Sequence, residues 1–405
     1  MNMREQVDYL MQGTEYGDEQ LKQAMANELA ERLCEAEREK RPLRVYCGFD
    51  PRTSDLHLGH TVPMRKLRQF QELGHDVIFL IGNYTSLIGD PSDKDKLRPR
   101  LTPEEVQCNA ETYAEQAYRV LARDKTIIEY NDKWLSKLTF AELIKLASNF
   151  TISQFMTREN FRGRLEKGEA IYLHETFYAI MQGYDAYMLK TDVQVGGTDQ
   201  LFNIVTASRK LMNGLGVKPN VGVILDILPG TDGKIKMSKS LGNHIPLVSS
   251  PEDMYGKVMS IPDTTMGAFM RLVTRWHPEQ ILRMEEDVNR EKLHIKDLKM
   301  KLAYEIVMIY QGAKEAEKAQ RNFITVFQKK DMPDDMPEYR LIKKINIVDF
   351  MADQNLSSSK GAARRLIKQK AVRLDGKILE SPDFLLERSG VLRVGKRKFI
   401  RLVEA

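Results

Sequence analysis

The chain has 405 residues, 42% of them hydrophobic, which predicts a globular protein of two or three domains with a sizeable core. The sequence contains neither the apolar segment of a signal peptide nor an uncharged apolar run of about 18 residues, so secretion and membrane insertion are not supported and a cytoplasmic location is expected. The three cysteines, Cys34, Cys47 and Cys108, stand at no metal-ligand spacing, which argues against a zinc site and a disulfide framework.

The net charge of +5 is concentrated at one end of the chain. Residues 356–405 contain 13 Lys and Arg against 5 Asp and Glu, whereas the other 355 residues contain 49 against 52. A solvated helix face can produce one basic cluster, but an excess of +8 in 50 residues is typical of a module that binds nucleic acid.

Strand and helix patterns alternate through the first half of the chain. Residues 1–41 indicate one or two peripheral helices, and residues 133–168 have the pattern of a helical insertion. The alternation predicts an α/β fold with a Rossmann-like parallel sheet over residues 42–230. The strand patterns are 45–49, 77–81, 126–130, 193–196 and 221–228, and the helix patterns are 57–74, 103–123, 174–190 and 198–213.

The second half of the chain has a different organisation. Residues 231–328 predict an α-helical domain that begins with a glycine-flanked basic loop. Residues 329–340, with two prolines and a run of charges, predict a linker, and residues 341–405 predict a compact α/β module.

Two short motifs about 180 residues apart indicate the chemistry. The sequence HLGH at residues 57–60 follows the first strand and opens a helix, whose unpaired N–H groups suit a nucleotide phosphate. The sequence KMSKS at residues 236–240 adds two lysines on a loop able to close over a triphosphate. Either motif alone is weak evidence, because short motifs match by accident. The order of the two motifs and the strand-turn-helix context of HLGH resemble the class I aminoacyl-tRNA synthetases. The resemblance implies that ATP phosphates are bound by His57, Gly59, His60, Lys236 and Lys239.

A polar stripe lies inside the helix pattern at 174–190. Tyr178, Gln182 and Asp185 are spaced by four and then three residues, so they share one helix face. A buried carboxylate without a partner is costly, so the stripe indicates either a ligand or, alternatively, a solvated face.

These residues and the segments around HLGH closely resemble the tyrosyl-tRNA synthetases, from about Tyr46 to the C-terminus. The resemblance implies that Tyr46 and Asp185 bind the phenol of tyrosine, and that Asp90, Tyr178 and Gln182 bind its ammonium group. The chemistry agrees, because a phenol both donates and accepts, and an ammonium group needs a carboxylate plus neutral acceptors.

The segment at residues 194–200, QVGGTDQ, is a second strand-to-helix turn, although a glycine-rich loop is weak evidence by itself. In the resembled family, Asp199 binds the ATP ribose with Gly197 against it, and Gln194 and Gln200 contact the activated carboxyl group. The remaining implied contacts are Gly48 and Asp50 near the adenosine, and Lys94 and Arg98 near the pyrophosphate or the tRNA acceptor end.

Two residues depart from the family pattern. Arg52 stands where a threonine that contacts phosphate is common, and Asp93 stands where a glycine is common. Thr53 is a substitute for that threonine, and Arg52 can itself meet a phosphate. These departures put the phosphate contacts of that corner in doubt.

The C-terminal module contains a serine-capped basic helix followed by an Asp375-Gly376 hairpin turn. It resembles the αL-type RNA-binding module of a ribosomal protein and of bacterial tyrosyl-tRNA synthetases. The implied RNA-binding residues are Lys360, Arg364, Arg365 and Lys368, and the alternative is a generic solvated basic helix.

The resemblance as a whole implies a tyrosine–tRNA ligase. Such an enzyme uses ATP to make tyrosyl-adenylate and pyrophosphate, and then transfers tyrosyl to its tRNA. We expect Mg²⁺ to bind mainly through the phosphates without a dedicated protein metal site, and a homodimer whose interface is the insertion at 133–168. One alternative is an adenylating enzyme for another amino acid or another acceptor, and the other is a non-catalytic RNA-binding or splicing protein on the same scaffold.

Overall fold

The computed structural model describes residues 1–51, 56–92, 102–239, 241–325, 336–341, 344–395 and 398–404. The chain forms two compact units. The first comprises Met1–Ser249 and Lys257–Gly312, and the second comprises Ser250–Gly256 and Ala313–Ala405. None of the described helices combines the length and the apolar character needed to cross a membrane.

A five-stranded parallel sheet forms the centre of the first unit. The spatial order of the strands is β3-β2-β1-β4-β5, and every adjacent pair is parallel. Apart from the edge strand β3, the strand interiors are almost continuously apolar and buried, as expected when helices cover both faces of a parallel sheet. The predicted parallel sheet is therefore confirmed. The strands are β1 Arg44–Phe49, β2 Asp76–Ile81, β3 Thr126–Tyr130, β4 Val193–Gly197 and β5 Val221–Leu225.

The connections supply the helices that were predicted between the strands. They are α3 Leu58–Glu72, α4 Pro103–Ala117, α9 Leu173–Met188 and α10 Arg209–Gly214. The prediction of one continuous helix over 198–213 was wrong. A 3₁₀ turn (Thr198–Gln200) and a π-helix (Phe202–Ser208) precede α10. A Cβ at Gly183 of α9 would lie 3.2 Å from Ser208 Cα, so this irregular segment packs closely on α9.

The N-terminal residues form two helices, α1 Met3–Met11 and α2 Glu19–Glu39, and α2 is capped by Asp18. The buried Arg32 lies 3.5 Å from Asp192, which also receives Arg41 at 2.7 Å. Two helices thus lie where the sequence pattern indicated them, and the ion pair of Arg32 attaches α2 to the sheet domain.

Residues between β3 and α9 form four short helices, which confirms the helical pattern of the predicted insertion. They are α5 Asp132–Leu135, α6 Phe140–Ala147, α7 Ile152–Met156 and α8 Glu159–Glu166. Further along the chain lie α11 Pro251–Met259, α12 Met266–Val273, α13 Pro278–Asn289, α14 Ile295–Gln311 and α15 Ala313–Phe323. Of these, α12, α13 and α14 fall within the first compact unit. The predicted boundary at residue 230 is a change of sequence pattern, and its status as a domain boundary stays a prediction.

The C-terminal part of the second unit is an α/β module with its own core, centred on buried residues such as Phe350, Ile367 and Leu392. Its main sheet has the order β6-β12-β11-β8-β9, and β10 pairs with β7. The elements are β6 Glu338–Leu341, β7 Ile345–Asn346, α16 Ile347–Asp353, α17 Lys360–Lys368, β8 Val372–Leu374, β9 Lys377–Ile378, β10 Leu385–Leu386, β11 Gly390–Val394 and β12 Lys398–Glu404.

The predicted linker extended too far toward the C-terminus. Residues 338–340 belong to β6, which pairs in parallel with β12. The reason is the alternation of Tyr339 and Leu341, whose side chains pack into the module core. Most of the predicted linker, residues 329–335, lies outside the described residues.

Candidate functional site

The candidate site lies at the carboxyl edge of the parallel sheet. β1 is adjacent to both β2 and β4, so the chain reverses its direction of strand addition at β1. The carboxyl ends of strands at such a switch point are where open α/β sheets bind ligands. Asp50 directly follows β1, and the segment at 198–200 directly follows β4.

Two imidazoles cap the helix that follows β1. His57 Nδ1 accepts the backbone N–H of Gly59 at 3.2 Å, and His60 Nδ1 accepts the backbone N–H of His57 at 3.2 Å. Because both Nδ1 atoms act as acceptors, the hydrogen-bond pattern assigns the ring protons to Nε2. A Cβ at Gly59 would lie 3.0 Å from the His57 ring, which explains the glycine.

Both histidines are held neutral. Burial, together with His60, His244, Lys236 and Lys239, lowers the pKa of His57 to about 2. Burial, followed by Lys236 and His244, lowers the pKa of His60 to about 4. The two imidazoles are therefore neutral Nε2–H donors beside two lysines, which is a suitable environment for a polyanion.

The described residues of the KMSKS segment, 236–239, follow a hairpin closed by the pairing of Pro229 with Lys236, and Asn243 contacts both parts. The Asn243 side chain accepts from the backbone N–H of Ser238 at 2.8 Å and donates to Asp232 at 2.6 Å. Met237 is buried. Lys236 Nζ donates to Asp199 Oδ2 at 2.6 Å, so the structure pairs the lysine expected at the pyrophosphate with the carboxylate expected at the ribose.

Asp185 is buried and holds two hydrogen bonds that the sequence did not predict. Its Oδ1 accepts Trp134 Nε1–H at 2.6 Å, and its Oδ2 accepts Asn131 Nδ2–H at 3.1 Å. Tyr46 is also buried, but its hydroxyl donates to the backbone carbonyl of Gln182 at 3.3 Å. The two predicted phenol-binding groups thus lie in one buried region, and each already has a protein partner.

A chain of hydrogen bonds connects Asp185 to the rest of the site. Asn131 Nδ2 also donates to Thr85 Oγ1 at 3.1 Å, and Thr85 Oγ1 donates to Asp50 Oδ1 at 2.7 Å. Tyr178 donates to Asp50 Oδ2 at 3.1 Å. We call this set the Asp50–Asp185 chain, comprising Tyr178, Asp50, Thr85, Asn131, Asp185 and Trp134.

Asp90 heads a second polar cluster. Its Oδ1 accepts from the backbone and hydroxyl of Ser92, and its Oδ2 accepts from Gln200 Nε2 at 2.5 Å. Arg158, which is buried, donates to Ser92 Oγ at 2.6 Å. Neither Ser92 nor Arg158 was predicted as a site residue.

The remaining predicted residues occupy different environments. Gln182 Oε1 is buried and accepts no hydrogen bond from the described residues, so it is available to a donor from a ligand. Gln194 is buried and accepts Asn220 Nδ2–H at 2.9 Å, so its carbonyl oxygen is engaged within the protein. Gly48 is exposed although Cys47 and Phe49 beside it are buried. A Cβ at Gly197 would lie 2.8 Å from Asp199 Oδ1.

Several predicted positions lie outside the described residues, namely Arg52, Thr53, Asp93, Lys94 and Arg98. Within the described part of the chain, no group of three or more His, Cys, Asp or Glu could hold a metal ion.

The basic residues predicted to bind RNA lie together on α17. Lys360, Arg364, Arg365 and Lys368 are all exposed, while Ala363 and Ile367 of the same helix are buried in the module core. Lys360 pairs with Asp349 at 2.9 Å. The helix thus presents a basic face.

Asp185 makes the stability of the fold depend on pH. Its pKa is raised from 3.8 to about 7, because burial and the charge of Asp50 outweigh the hydrogen bonds from Trp134 and Asn131 that lower it. Below about pH 4 the carboxyl group is protonated in both the folded and unfolded states. Between about pH 4 and 7 only the unfolded state loses the proton, so the carboxylate destabilises the fold as pH rises, by at most about 1.4 kcal/mol per pH unit.

We therefore expect Asp185→Asn to gain stability relative to the native chain as pH rises from about 5 to about 8. Thermal melting of both proteins at several pH values measures this difference. Asp132→Asn, at the exposed position next to Asn131, is the control and should show no such trend. A melting difference for Asp185→Asn that is constant across this range contradicts the buried ionisation.

Two family models match the chain. One is described as "tRNA synthetases class I (W and Y)" and matches residues 38–328. The other is described as "Tyrosine--tRNA ligase SYY-like C-terminal domain" and matches residues 328–402.

Curated relatives match along nearly the whole chain. A protein of Thermotoga maritima named Tyrosine--tRNA ligase is 45% identical over 92% of this chain and 93% of its own length. One of Moorella thermoacetica with the same name is 47% identical over 89% and 88%. Tyrosine--tRNA ligase 2 of Clostridium acetobutylicum is 40% identical over 99% of both chains.

Solved structures share the fold at low sequence identity. A C-terminally truncated mitochondrial tyrosyl-tRNA synthetase of Aspergillus nidulans has a TM-score of 0.63 and 22% identity, covering 80% of this chain and 94% of its own. The tyrosyl-tRNA synthetase of Archaeoglobus fulgidus complexed with L-tyrosine has a TM-score of 0.60 and 20% identity, covering 79% and 100%.

Proposed function

Since the chain belongs to the tyrosine–tRNA ligases of the class I aminoacyl-tRNA synthetases, we propose roles for its individual residues in the reaction of that family. The chain is a tyrosine–tRNA ligase, with tyrosine, ATP and tRNA as substrates. Its relatives are named as ligases, and none of the comparisons supports the non-catalytic alternative.

The side chains of Tyr46 and Asp185 are proposed to bind the phenol of tyrosine. The supporting observation is the buried Asp185 carboxylate, whose pKa near 7 leaves a substantial ionised fraction at neutral pH. An ionised carboxylate accepts the phenolic O–H, whereas phenylalanine would leave it without that donor. At the other end of the amino acid, three side chains are proposed to bind the ammonium group: Asp90, Tyr178 and Gln182. Gln182 Oε1 accepts no hydrogen bond from the described residues.

In the first step, the tyrosine carboxylate attacks the ATP α-phosphorus and pyrophosphate leaves with the electron pair of the broken P–O bond. We assign His57 and His60 to the phosphates as neutral Nε2–H donors, and Lys236 and Lys239 to the departing pyrophosphate. Asp199, beside Gly197, is assigned to the ribose, with Gly48 and Asp50 near the adenosine and Gln194 and Gln200 near the carboxyl group. Because Asn220 already donates to Gln194 Oε1, Gln194 contributes through its side-chain N–H₂ group.

Mg²⁺ is proposed to enter as part of the ATP substrate, bound mainly through the phosphates. The donor set around the phosphates consists of imidazoles and lysines, and lysines repel a divalent cation. Lys94 and Arg98 are proposed to act near the pyrophosphate or the tRNA acceptor end. A cytoplasmic location is proposed because tRNA charging supplies translation.

ATP–pyrophosphate exchange across the twenty amino acids tests the proposed site. We expect exchange with tyrosine and with little else, because a polar phenol pocket rejects the analogue that lacks the hydroxyl. Exchange driven better by tryptophan or phenylalanine would overturn the proposed pocket.

A homodimer is proposed, with the insertion at 133–168 in its interface. The support is an exposed apolar surface: Phe140 is 78% exposed and Ile144, one helical turn later, is 56% exposed. Large apolar side chains in exposed clusters are characteristic of interfaces. Ile152 and Leu165 of the same insertion are also exposed.

We expect Phe140→Asp to convert the dimer to a monomer, because it places a charge in a surface that must lose water on association. Sedimentation equilibrium measures the change. Leu282→Asp, at an equally apolar exposed position on α13, is the control and should remain dimeric. A monomeric native chain, or a dimeric Phe140→Asp variant, contradicts this interface.

The C-terminal module is proposed to bind tRNA through the basic face of α17. The module has its own core and contains none of the residues assigned to adenylation. A chain that ends after Pro337 should therefore make tyrosyl-adenylate at close to the native rate but charge tRNA poorly. It should also lose much of the salt dependence of tRNA binding, since each phosphate contact contributes to that slope.

A second variant keeps the full chain and replaces four basic residues of α17 by glutamine, namely Lys360, Arg364, Arg365 and Lys368. It should reproduce the tRNA defect with the module still present. Adenylate burst assays and filter binding over a salt titration separate the two half-reactions. Loss of adenylation in a folded truncation, or full charging at every salt concentration, contradicts the proposed role.

A further inference from the structure

His244 lies next to the two histidines of the HLGH motif but is not part of that motif. The rings of His57 and His60 lie 3.9 Å apart, and the ring of His244 meets that of His57 edge-on at 5.9 Å. Three imidazoles thus form one cluster, with the two lysines of the preceding loop among the groups that lower the pKa of His57.

Backbone pairing fixes His244 in this position. Leu58 N–H donates to the carbonyl of Ile245 at 3.0 Å, and Leu247 N–H donates to the carbonyl of Leu56 at 3.0 Å. His57 forms an antiparallel bridge with Pro246. The segment after KMSKS is therefore hydrogen-bonded to the segment that opens the HLGH helix.

The neighbouring side chains hold this pairing rigidly. Ile245 and Leu247 are fully buried, so the alternation of an extended segment turns His244 to the opposite, partly exposed side. The carbonyl of Leu247 accepts from Arg119 at 2.9 Å and from Gln311 at 3.0 Å. The segment that carries His244 is therefore held by hydrogen bonds to neighbouring elements. Lys236 and Lys239 precede this segment in the chain.

We propose that His244 is a third imidazole of the phosphate-binding cluster and contacts the ATP phosphate chain during adenylation. This inference rests on the proposed roles of His57 and His60 at the phosphates. Lys236 and Lys239 bring positive charge to the cluster, and the Asp199 carboxylate pairs with Lys236 at 2.6 Å. Neutral imidazole N–H donors beside two lysines form a site that suits an anion, and the anionic substrate here is the triphosphate.

His244→Ala should lower the rate constant of tyrosyl-adenylate formation roughly 10- to 100-fold, as expected for loss of one donor to a developing charge. It should raise the pyrophosphate concentration needed for half-maximal reversal by a similar factor. The dissociation constant of tyrosine, measured by intrinsic fluorescence, should change less than about twofold, because His244 lies outside the tyrosine pocket. Stopped-flow adenylate formation and pyrophosphorolysis give these values.

His244→Gln separates contact with the phosphates from support of the fold, because its amide N–H₂ remains a donor. We expect it to recover most of the rate lost in the alanine variant, and it decides the question if the alanine variant does not fold. Val248→Ala, an exposed position on the same segment, is the control and should behave as the native enzyme.

Three outcomes would overturn the inference. They are native pyrophosphate dependence in His244→Ala, a glutamine variant as slow as the alanine variant, and a parallel loss of tyrosine affinity and thermal stability. Failure of the native enzyme to exchange pyrophosphate with tyrosine would instead refute the proposed function. Native exchange in both the native and His244→Ala enzymes would remove only the role of His244.

Discussion

Replacing Asp185 by alanine should reduce tyrosine activation by roughly 10⁴-fold or more, the largest loss expected from any single substitution in this chain. The carboxylate is the buried acceptor proposed for the phenolic hydroxyl. Its removal also leaves Trp134 Nε1–H and Asn131 Nδ2–H without their acceptor. An unpaired buried donor costs about 1–3 kcal/mol, so the pocket is disturbed as well as deprived of its ligand group.

The measurement is the adenylate burst as a function of tyrosine concentration. Asp132→Ala removes an exposed carboxylate close to Asn131 and Trp134 in sequence and should retain native kinetics. Trp134→Phe keeps the carboxylate and an aromatic ring but removes one donor, so it should give an intermediate loss. Native kinetics in Asp185→Ala would mean that the polar stripe of α9 does not recognise tyrosine.

Alanine at Lys236, Lys239, His57 or His60 should lower kcat for adenylation by roughly 10²- to 10³-fold, or about 2.7–4 kcal/mol each. The KM for tyrosine should change little, because these side chains are assigned to the phosphates and not to the amino acid. Lys236→Ala also releases Asp199 from its ion pair, so its effect on the KM for ATP should differ from that of Lys239→Ala.

Lys234→Ala is the matched control, since Lys234 is an exposed lysine of the same hairpin outside the motif. Rapid-quench assays with separate titrations of ATP and tyrosine distinguish kcat from the two KM values. An unchanged kcat with a weakened KM for tyrosine would show that the motif residues serve a different step.

The sheet was predictable because buried parallel strands are continuous apolar runs separated by helix patterns. Each strand prediction differed from the structure by only a few residues at its ends. The stripe of Tyr178, Gln182 and Asp185 was predictable because helical spacing places residues four and three apart on one face.

The partners of that stripe were not predictable in the same way. Asn131 and Trp134 follow β3, about fifty residues before Asp185, and no local spacing relates the two segments. Only their place directly after β3 could have indicated a role in the site, since polar residues just after a strand of a parallel sheet lie at its carboxyl edge. Gly82 carried no signal, although a Cβ there would lie 2.3 Å from Asp50 Oδ1.

The two wrong structural predictions have local causes. The helix at 198–213 begins beside paired glycines and packs closely on α9, which replaces the regular helix by 3₁₀ and π turns. Residues 338–340 were assigned to the linker because prolines and charged residues precede them. The alternation of Tyr339 and Leu341, which indicates a strand, was given too little weight.

The Asp50–Asp185 chain fixes the distance between the groups proposed to bind the two ends of the amino acid. Its length is set by protein–protein hydrogen bonds of 2.6 to 3.1 Å, from Tyr178 at one end to Trp134 at the other. Neither end can shift to follow a shorter or longer ligand without breaking a bond further along. With the roles proposed for Tyr178 and Asp185, an amino acid of the wrong length would satisfy one end and miss the other, so the site would select for the length of its substrate as well as for its hydroxyl group.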